Sequence, residues 1–491
     1  MEQTSGKLQD KYSIDWVPDS ARHGAPFQQF TLWLGANLQI TAIVDGALAV
    51  VFGAQGMTAI WGLLLGNLLG GAVMALHAAQ GPRLGLPQMI TSRVQFGVKG
   101  AALPLLLVIL MYLGFATTGT VLSGQAINKL LGTDGSAAGM IVFGALTGVI
   151  AIAGYNFIHL LGRVASMISI AGFAFLAWRL FALHPVGELL ATSEWSTSQF
   201  LLAMSLSAGW QLTFAPYVAD YSRYLPASTP MRSVFWPVFL GTVIGAQCAM
   251  VFGVLLAGSG PAFIKNQVGF LGDLAGPMLA MVVYFAIVAG KLTVNCLNAY
   301  GGFMCILTIA SGMAGTQRYA VRVRRLVISV FLLVTVVLAV FASHDFLGNF
   351  KNFVLLLLVA FVPWSSINLI DYYFISREKV DIPALYQPEG RYGAYNVPAL
   401  VSYCVGIFAQ APFINQKLFK GFAVDLLGGT DISWIVGLLV TAVIYYPWAK
   451  RTLNVPERMI YHAEGSSPAA GAHSADSDPA FVTAASRPVN D

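Results

Sequence analysis

Apolar residues fall along this chain in long blocks, without the alternation of a half-buried strand or the narrow stripe of a soluble amphipathic helix. Cutting at clusters of charge, Gly and Pro gives blocks near 31–53, 57–80, 101–131, 137–158, 164–183 and 200–219. A second set follows near 234–257, 277–311, 326–343, 350–373, 397–414 and 431–449. A helix needs ~20 residues to cross a ~30 Å hydrocarbon core, so the pattern predicts an all-α polytopic membrane protein with about twelve transmembrane helices. The 101–131 and 277–311 blocks exceed one bilayer thickness, which predicts tilt or extension past the interface.

Composition agrees, since 57% of the 491 residues are hydrophobic and 10% are charged, outside the range of ordinary soluble domains. Cytoplasmic connections hold the excess of Lys and Arg. With the amino terminus inside, the inner connections carry Lys7, Lys11, Arg83, Arg163, Arg232 and the RYAVRVRR run at 318–325, among others. The outer ones keep only Lys129, Arg179, Lys265, Lys351, Lys417 and Lys420. Both termini are therefore expected in the cytoplasm, as an even number of spans requires. The chain divides into a cytoplasmic segment 1–30, a transmembrane domain 31–449 and a cytoplasmic tail 450–491, whose Ala, Ser, Pro and Gly predict disorder.

The net charge of +5 follows from this topology, and no nucleic-acid partner is expected. RYAVRVRR reads as an anchor at the headgroups of the bilayer. Cys248, Cys296, Cys305 and Cys404 all lie inside blocks, and His77, His159, His184 and His344 scatter toward block ends and loops. No metal spacing, cofactor or catalytic set is expected from them, which disfavours an integral-membrane enzyme. The first 30 residues lack an apolar signal core, so the first block is expected to direct insertion.

Inside hydrocarbon, a polar group or a helix break must find its partners within the protein. Four stretches stand out. GANLQITAIVDGA (35–47) combines Asn37, Gln39, Thr41 and Asp45, and YLGFATTG (112–119) sets an aromatic among glycines and threonines. SAGWQLTFAPYVADYSRY (207–224) places Gly209, Trp210 and Gln211 ahead of Pro216. In FAIVAGKLTVNCLNAYGGF (285–303), Lys291, Asn295, Asn298 and Gly302 stand at i, i+4, i+7 and i+11, along one helix face. The interruptions of the first and sixth blocks, five spans apart, mark two inverted five-helix repeats with a site at the midplane between the broken helices.

Small polar residues also serve as helix-packing surface, and for Thr117, Thr118 and Asn298 that reading stands level with a functional one. Trp210 lies about 15 Å into its span, too deep for an interfacial belt, and favours a ligand platform over plain core packing. Counting along the helices puts Lys291 about 9 Å from the cytoplasm, level with Asn37 and Gln39, and Asp45 about two turns further out. A direct Lys291–Asp45 pair is therefore not expected. Asp220 and Asp371 fall at inner span ends and read as boundary residues.

The stretches HAAQGPRLGLPQMITSRVQFG (77–97), YNFIHLLGR (155–163), APYVADYSRYLP (215–226), VNCLNAYGG (294–302) and VPWSSINLIDYY (362–373) resemble the nucleobase:cation symporter-1 family, near its purine and cytosine permease branch. The resemblance covers roughly residues 25–460. It implies a leucine-transporter-like fold of two inverted five-helix repeats plus two peripheral helices, working by alternating access. It also implies secondary active import of a nucleobase or related neutral heterocycle, stacked between aromatics of the third and sixth spans and hydrogen-bonded by amides. Matched by position, these fall on Phe115, where many members carry Trp, on Trp210 preceded by Gly209, on Asn295 and on Gln39. The chemistry fits, because a nucleobase has two π faces to stack and an edge of donors and acceptors that Asn and Gln amides complement.

The resemblance further implies a sodium site whose hydroxyl pair lies six and five residues before the asparagine. Those positions hold Ala289 and Gly290, with Lys291 next, and neither offers a side-chain oxygen to a hard cation. The expectation is proton coupling, with the Lys291 ammonium at or beside the place of sodium and with Ala289, Gly290 and Asn37 around it. The alternative substrate reading is a carrier of the same fold for allantoin, a hydantoin or a vitamin-like pyrimidine. The expected location is the plasma membrane, or the inner membrane if the source is bacterial.

Overall fold

The first apolar block forms two helices rather than one. In the computed structural model, α1 (Phe27–Asn37) and α2 (Ile40–Val51) meet at 59°, because Leu38 (ψ 69°) and Gln39 (φ −143°, ψ 159°) leave the helical region between them. The structure describes residues 14–153, 170–185, 187, 190, 195–314, 321–417 and 419–461. α3 (Gly56–Leu84) follows, then the short and wholly buried α4 (Gln88–Phe96), then α5 (Ala102–Leu131) and α6 (Ala138–Ala153). α7 spans Ile170–Leu183.

The sixth block is broken as well. α8 (Thr197–Leu212) stops in mid-span, residues 213–218 form turns, and α9 (Ala219–Ser222) adds a single turn. Proline explains where it stops. A prolyl ring excludes the carbonyl four residues earlier from a helix, and for Pro216 that residue is Leu212, the last of α8. The chain continues through α10 (Met231–Gly258), α11 (Pro261–Lys265) and α12 (Gln267–Ala275) to α13 (Pro277–Ala314), α14 (Val321–Ala342), α15 (Phe346–Leu369), α16 (Val397–Phe408) and α17 (Ser433–Thr452).

Among the described residues each apolar block falls mainly on helix, and the two overlong blocks are continuous helices of 30 and 38 residues. Among the described residues, Gly56–Leu84, Ala102–Leu131, Met231–Gly258, Pro277–Ala314 and Arg322–Ile375 are long and apolar enough to cross a bilayer, the last holding both α14 and α15. The bent pair α1–α2, taken together, meets the same requirement of length and apolarity.

The helices sort into two groups. α1, α2, α3, α8 and α10 pack on one another, as do α5, α6, α13 and α14, while α15 touches α8 and is backed by α16 and α17. In span order these are the first, second, sixth and seventh against the third, fourth, eighth and ninth. Two inverted repeats produce that grouping, since each span is paired with the one five further on. Apolar side chains gain nothing by leaving lipid for one another, so close approach of small residues holds such helices together. Gly62, Gly66 and Gly70 of α3 supply it against α8. A Cβ on Gly66 would lie 2.9 Å from Ala208 N, and one on Gly70 would lie 2.7 Å from Gln211 Cβ.

The two terminal segments meet at one end of the molecule. Val17 N donates to Gly85 O at 2.9 Å, Tyr386 Oη donates to Ile14 O at 3.0 Å, Ile382 N donates to Ile460 O at 3.0 Å, and the rings of Trp16 and Tyr461 stand 5.9 Å apart. Residues 14–23, read from sequence as part of a polar cytoplasmic segment, thus bury Ile14, Trp16 and Val17 against the connection after α15 and the end of α3. Asp220 sits at the same end, accepting from Gln88 N at 2.7 Å where α4 begins. Asp371 is buried and accepts from Ser376 Oγ and Tyr445 Oη, each at 2.8 Å. His77 is buried within α3, 2.9 Å from Ser365 Oγ and stacked on Trp364 at 4.8 Å. The YNFIHLLGR stretch, Arg318 and residues 462–491 of the tail lie outside the described residues.

Candidate functional site

Trp210 stands two residues before α8 stops and is 1% exposed. Phe115 of α5 meets it edge-on, with centroids 5.7 Å apart at 87°. Phe353 of α15 packs on the other side of Phe115 at 5.3 Å and 78°, and Phe214 meets Trp210 at 5.7 Å. Bare aromatic rings prefer this edge-to-face arrangement. The sequence expectation of two facing platforms is therefore met only in part. The rings converge on one interior place, but they touch each other there, and a flat solute between parallel faces needs them roughly 7 Å apart, two van der Waals contacts.

The two amides of the first span meet different partners. Asn37, expected beside Lys291, accepts from Trp210 Nε1 at 2.7 Å and donates to Trp33 O and to Thr242 Oγ1 at 2.8 and 3.0 Å. Gln39, expected as a substrate amide, accepts from Lys291 Nζ at 2.6 Å and donates to Ala36 O at 2.7 Å. The break is the reason, because the non-helical backbone at Leu38 and Gln39 turns the second amide to another face.

Lys291 is buried and donates to both Gln39 Oε1 and Thr41 Oγ1, so its ammonium sits across the gap between α1 and α2. The level read from sequence agrees with this contact. Ala289, two residues earlier on α13, is buried, and its carbonyl accepts from Thr293 Oγ1 at 3.3 Å. A Cβ on Gly290 would meet nothing within 4 Å. Asp45 lies one turn beyond Thr41 on α2, fully buried, and neither carboxyl oxygen has a hydrogen-bond partner among the described residues.

One turn from Lys291, Asn295 donates to Ala116 O at 2.9 Å and to Thr120 Oγ1 at 3.1 Å. Its Oδ1 is buried without a partner among the described residues and lies against Gly119, one turn from Phe115 on α5. Gly209 has a different use, since a Cβ there would stand 3.1 Å from Val354 Cγ1 and 3.2 Å from Val354 O of α15. The contacts close a circuit, from Trp210 to Phe115, along α5 to Asn295, down α13 to Lys291, across to Gln39 and back through Asn37 to Trp210.

A family described as permeases for cytosine/purines, uracil, thiamine and allantoin matches residues 16–437. The chain belongs to this family. The permease is 36% identical over 446 residues to a putative purine-cytosine permease of Bacillus subtilis (strain 168), covering 91% of this chain and 97% of that one. A purine-cytosine permease of Emericella nidulans is 25% identical, with 84% of this chain and 83% of that one aligned. Among solved structures, the inward facing conformation of Mhp1 superposes with a TM-score of 0.69 at 17% identity, covering 90% of this chain and 94% of that chain. Mhp1, a nucleobase-cation-symport-1 family transporter, in a closed conformation with bromovinylhydantoin bound, gives 0.68 at 18%, covering 90% and 96%. At such identities the likeness carries the fold, which is the leucine-transporter-like arrangement of inverted repeats. The permease is a transporter and not an enzyme.

Sequence reasoning did not single out Phe353, Thr120, Thr242 or Asn67. Phe353 opens the run FVLLLLVAF, where nothing separates one apolar residue from the next. Asn67 and Thr242 are lone polar residues in GLLLGNLLGG and FLGTVIG, and their isolation in hydrocarbon is the signal that points to them.

Proposed function

We propose that the permease imports a neutral nucleobase, cytosine or a purine, by alternating access, and that protons drive the import through Lys291. The observation that carries the substrate reading is the closed circuit around Phe115 and Trp210, in which Asn295 Oδ1 is a buried acceptor without a partner. Such an acceptor at the edge of an aromatic site suits a ring N–H, and the faces of Phe115 and Trp210 suit its π surface once they part. The names of the purine-cytosine permease relatives support the same class.

The coupling reading rests on Lys291. Its ammonium fills the gap in the first span, while Ala289 and Gly290 bring no side-chain oxygen to a sodium ion. Protonated, it ties α13 to both sides of the break. Deprotonated, it keeps at most a weak hold there, and the two helix groups are free to move apart. The distribution of Lys and Arg supports both termini in the cytoplasm, and the proposed location is the plasma membrane, or the inner membrane if the source is bacterial.

Allantoin is the second reading, supported by a putative allantoin permease of Escherichia coli (strain K12) that is 23% identical over 473 residues. Uptake of labelled cytosine and hypoxanthine into proteoliposomes, with an inward proton gradient and no sodium, tests the proposal. Saturable accumulation that excess allantoin leaves intact is the expected result. Strict sodium dependence would end the coupling reading, and displacement by allantoin alone would move the substrate class.

A further inference from the structure

The indole N–H of Trp210 heads a chain of side-chain hydrogen bonds that crosses four helices. Trp210 Nε1 donates to Asn37 Oδ1 at 2.7 Å, and Asn37 Nδ2 donates to Thr242 Oγ1 at 3.0 Å. Thr242 Oγ1 donates to Gln211 Oε1 at 2.6 Å, and Gln211 Nε2 donates to Asn67 Oδ1 at 2.9 Å. Asn67 Nδ2 donates to Gln247 Oε1 at 2.9 Å, and Gln247 Nε2 ends the chain on Ile60 O at 3.3 Å. Asn37, Asn67, Gln211 and Thr242 are all buried.

The chain has one possible direction. An indole N–H only donates, so Asn37 must turn its oxygen to Trp210 and its NH₂ to Thr242. From the other end, the backbone carbonyl of Ile60 can only accept, so Gln247, Asn67 and Gln211 must each turn their NH₂ toward it, and Thr242 must give its proton to Gln211. Flipping any amide on the way leaves two buried groups facing like partners, a donor against a donor or an acceptor against an acceptor.

We infer that Asn37, Thr242, Gln211 and Asn67 are positioning residues for the Trp210 platform. They lock the angle of the indole ring and occupy its only donor, so that Trp210 meets solute with its face alone. They also join α1, α3, α8 and α10 through polar bonds, so the platform turns with that group of helices as one body. This rests on the proposed role of Trp210 as a stacking surface.

Thr242→Val removes the hydroxyl and little volume, Thr242→Ser restores the hydroxyl, and Asn67→Leu cuts the chain at a residue that does not touch Trp210. Cytosine and hypoxanthine counterflow is measured for each, alongside the ultraviolet resonance Raman band of the Trp210 N–H, taken as the difference from Trp210→Phe. The expected result is a KM raised about fivefold in Thr242→Val and Asn67→Leu, the equivalent of one lost hydrogen bond, with Vmax held within about twofold. Thr242→Ser returns to the wild-type KM, and the N–H band of Thr242→Val moves toward a weaker hydrogen bond. An unchanged KM with an unmoved band in Thr242→Val, or a Thr242→Ser variant as impaired as Thr242→Val, would overturn the inference. If the wild type takes up neither base, the substrate reading fails, and the Raman arm, which needs no solute, still decides the network.

Discussion

Lys291 of α13 donates to Gln39 across the break between α1 and α2, at 2.6 Å from Nζ to Oε1, and to Thr41 on the far side of it. A buried ammonium holds its charge at least cost where oxygens replace its water. Here those oxygens belong to the two halves of the bent pair, so one side chain bridges the bend.

Replacing that lysine separates exchange from accumulation. Lys291→Ala is expected to keep cytosine counterflow while losing proton-driven accumulation, because the solute circuit persists and the ammonium bridge does not. Proteoliposomes with and without an imposed pH gradient measure both. Equal accumulation by variant and wild type would remove Lys291 from the coupling step.

On the proposed function, the aromatic pair sets affinity. Trp210→Leu and Phe115→Leu each delete a stacking face worth ~1–3 kcal/mol per base, which weakens binding by between about fivefold and a hundredfold. Calorimetric titration of detergent-solubilised protein with cytosine and hypoxanthine reads the change directly. Affinities within a factor of about two of wild type, on the same principle, would place the base elsewhere.

Close helix contact sets stability at α3. In Gly66→Ala the new methyl stands 2.9 Å from Ala208 N of α8 and also meets Ser207, an overpacking that costs about 1–3 kcal/mol. A lower thermal midpoint in detergent and a poorer yield are expected, whereas Gly290→Ala, where a Cβ meets nothing within 4 Å, leaves the midpoint in place.

Arg93 ties the connection after α15 to α13. Its guanidinium donates to Leu385 O at 3.0 Å, Thr308 O at 2.8 Å and Ser311 Oγ at 2.7 Å while 1% exposed. Arg93→Met removes three hydrogen bonds from a buried guanidinium and takes from Leu385 O its side-chain donor, at a cost of at least about 2 kcal/mol, and Arg93→Lys recovers little because a point charge cannot reach all three. Thermal unfolding of the two variants orders them; a fully stable Arg93→Lys would refute the fork geometry.

Much of the architecture was legible because the bilayer imposes local rules. Span length follows from hydrocarbon thickness, and a lone lysine or a proline stands out where water is absent. Pro216 and the end of α8 at Leu212 are a case in which one residue's chemistry dictates the break. Lys291 came out at the level of Gln39 because rise per residue is constant along a helix.

Which amide serves which group was not legible. Asn37 and Gln39 are two residues apart, yet one meets Trp210, 173 positions away, and the other meets Lys291, 252 positions away. By itself the sequence determined the helices, the breaks of the first and sixth spans and the shared level of Lys291 and Gln39, all of which depend on neighbours along the chain and on lipid. Only the tertiary structure decided the partners and the edge-on closure of Phe115 against Trp210. Two helix-breaking residues and a 59° bend set those directions, and a hydrogen bond or ring contact is lost over an ångström or a few tens of degrees.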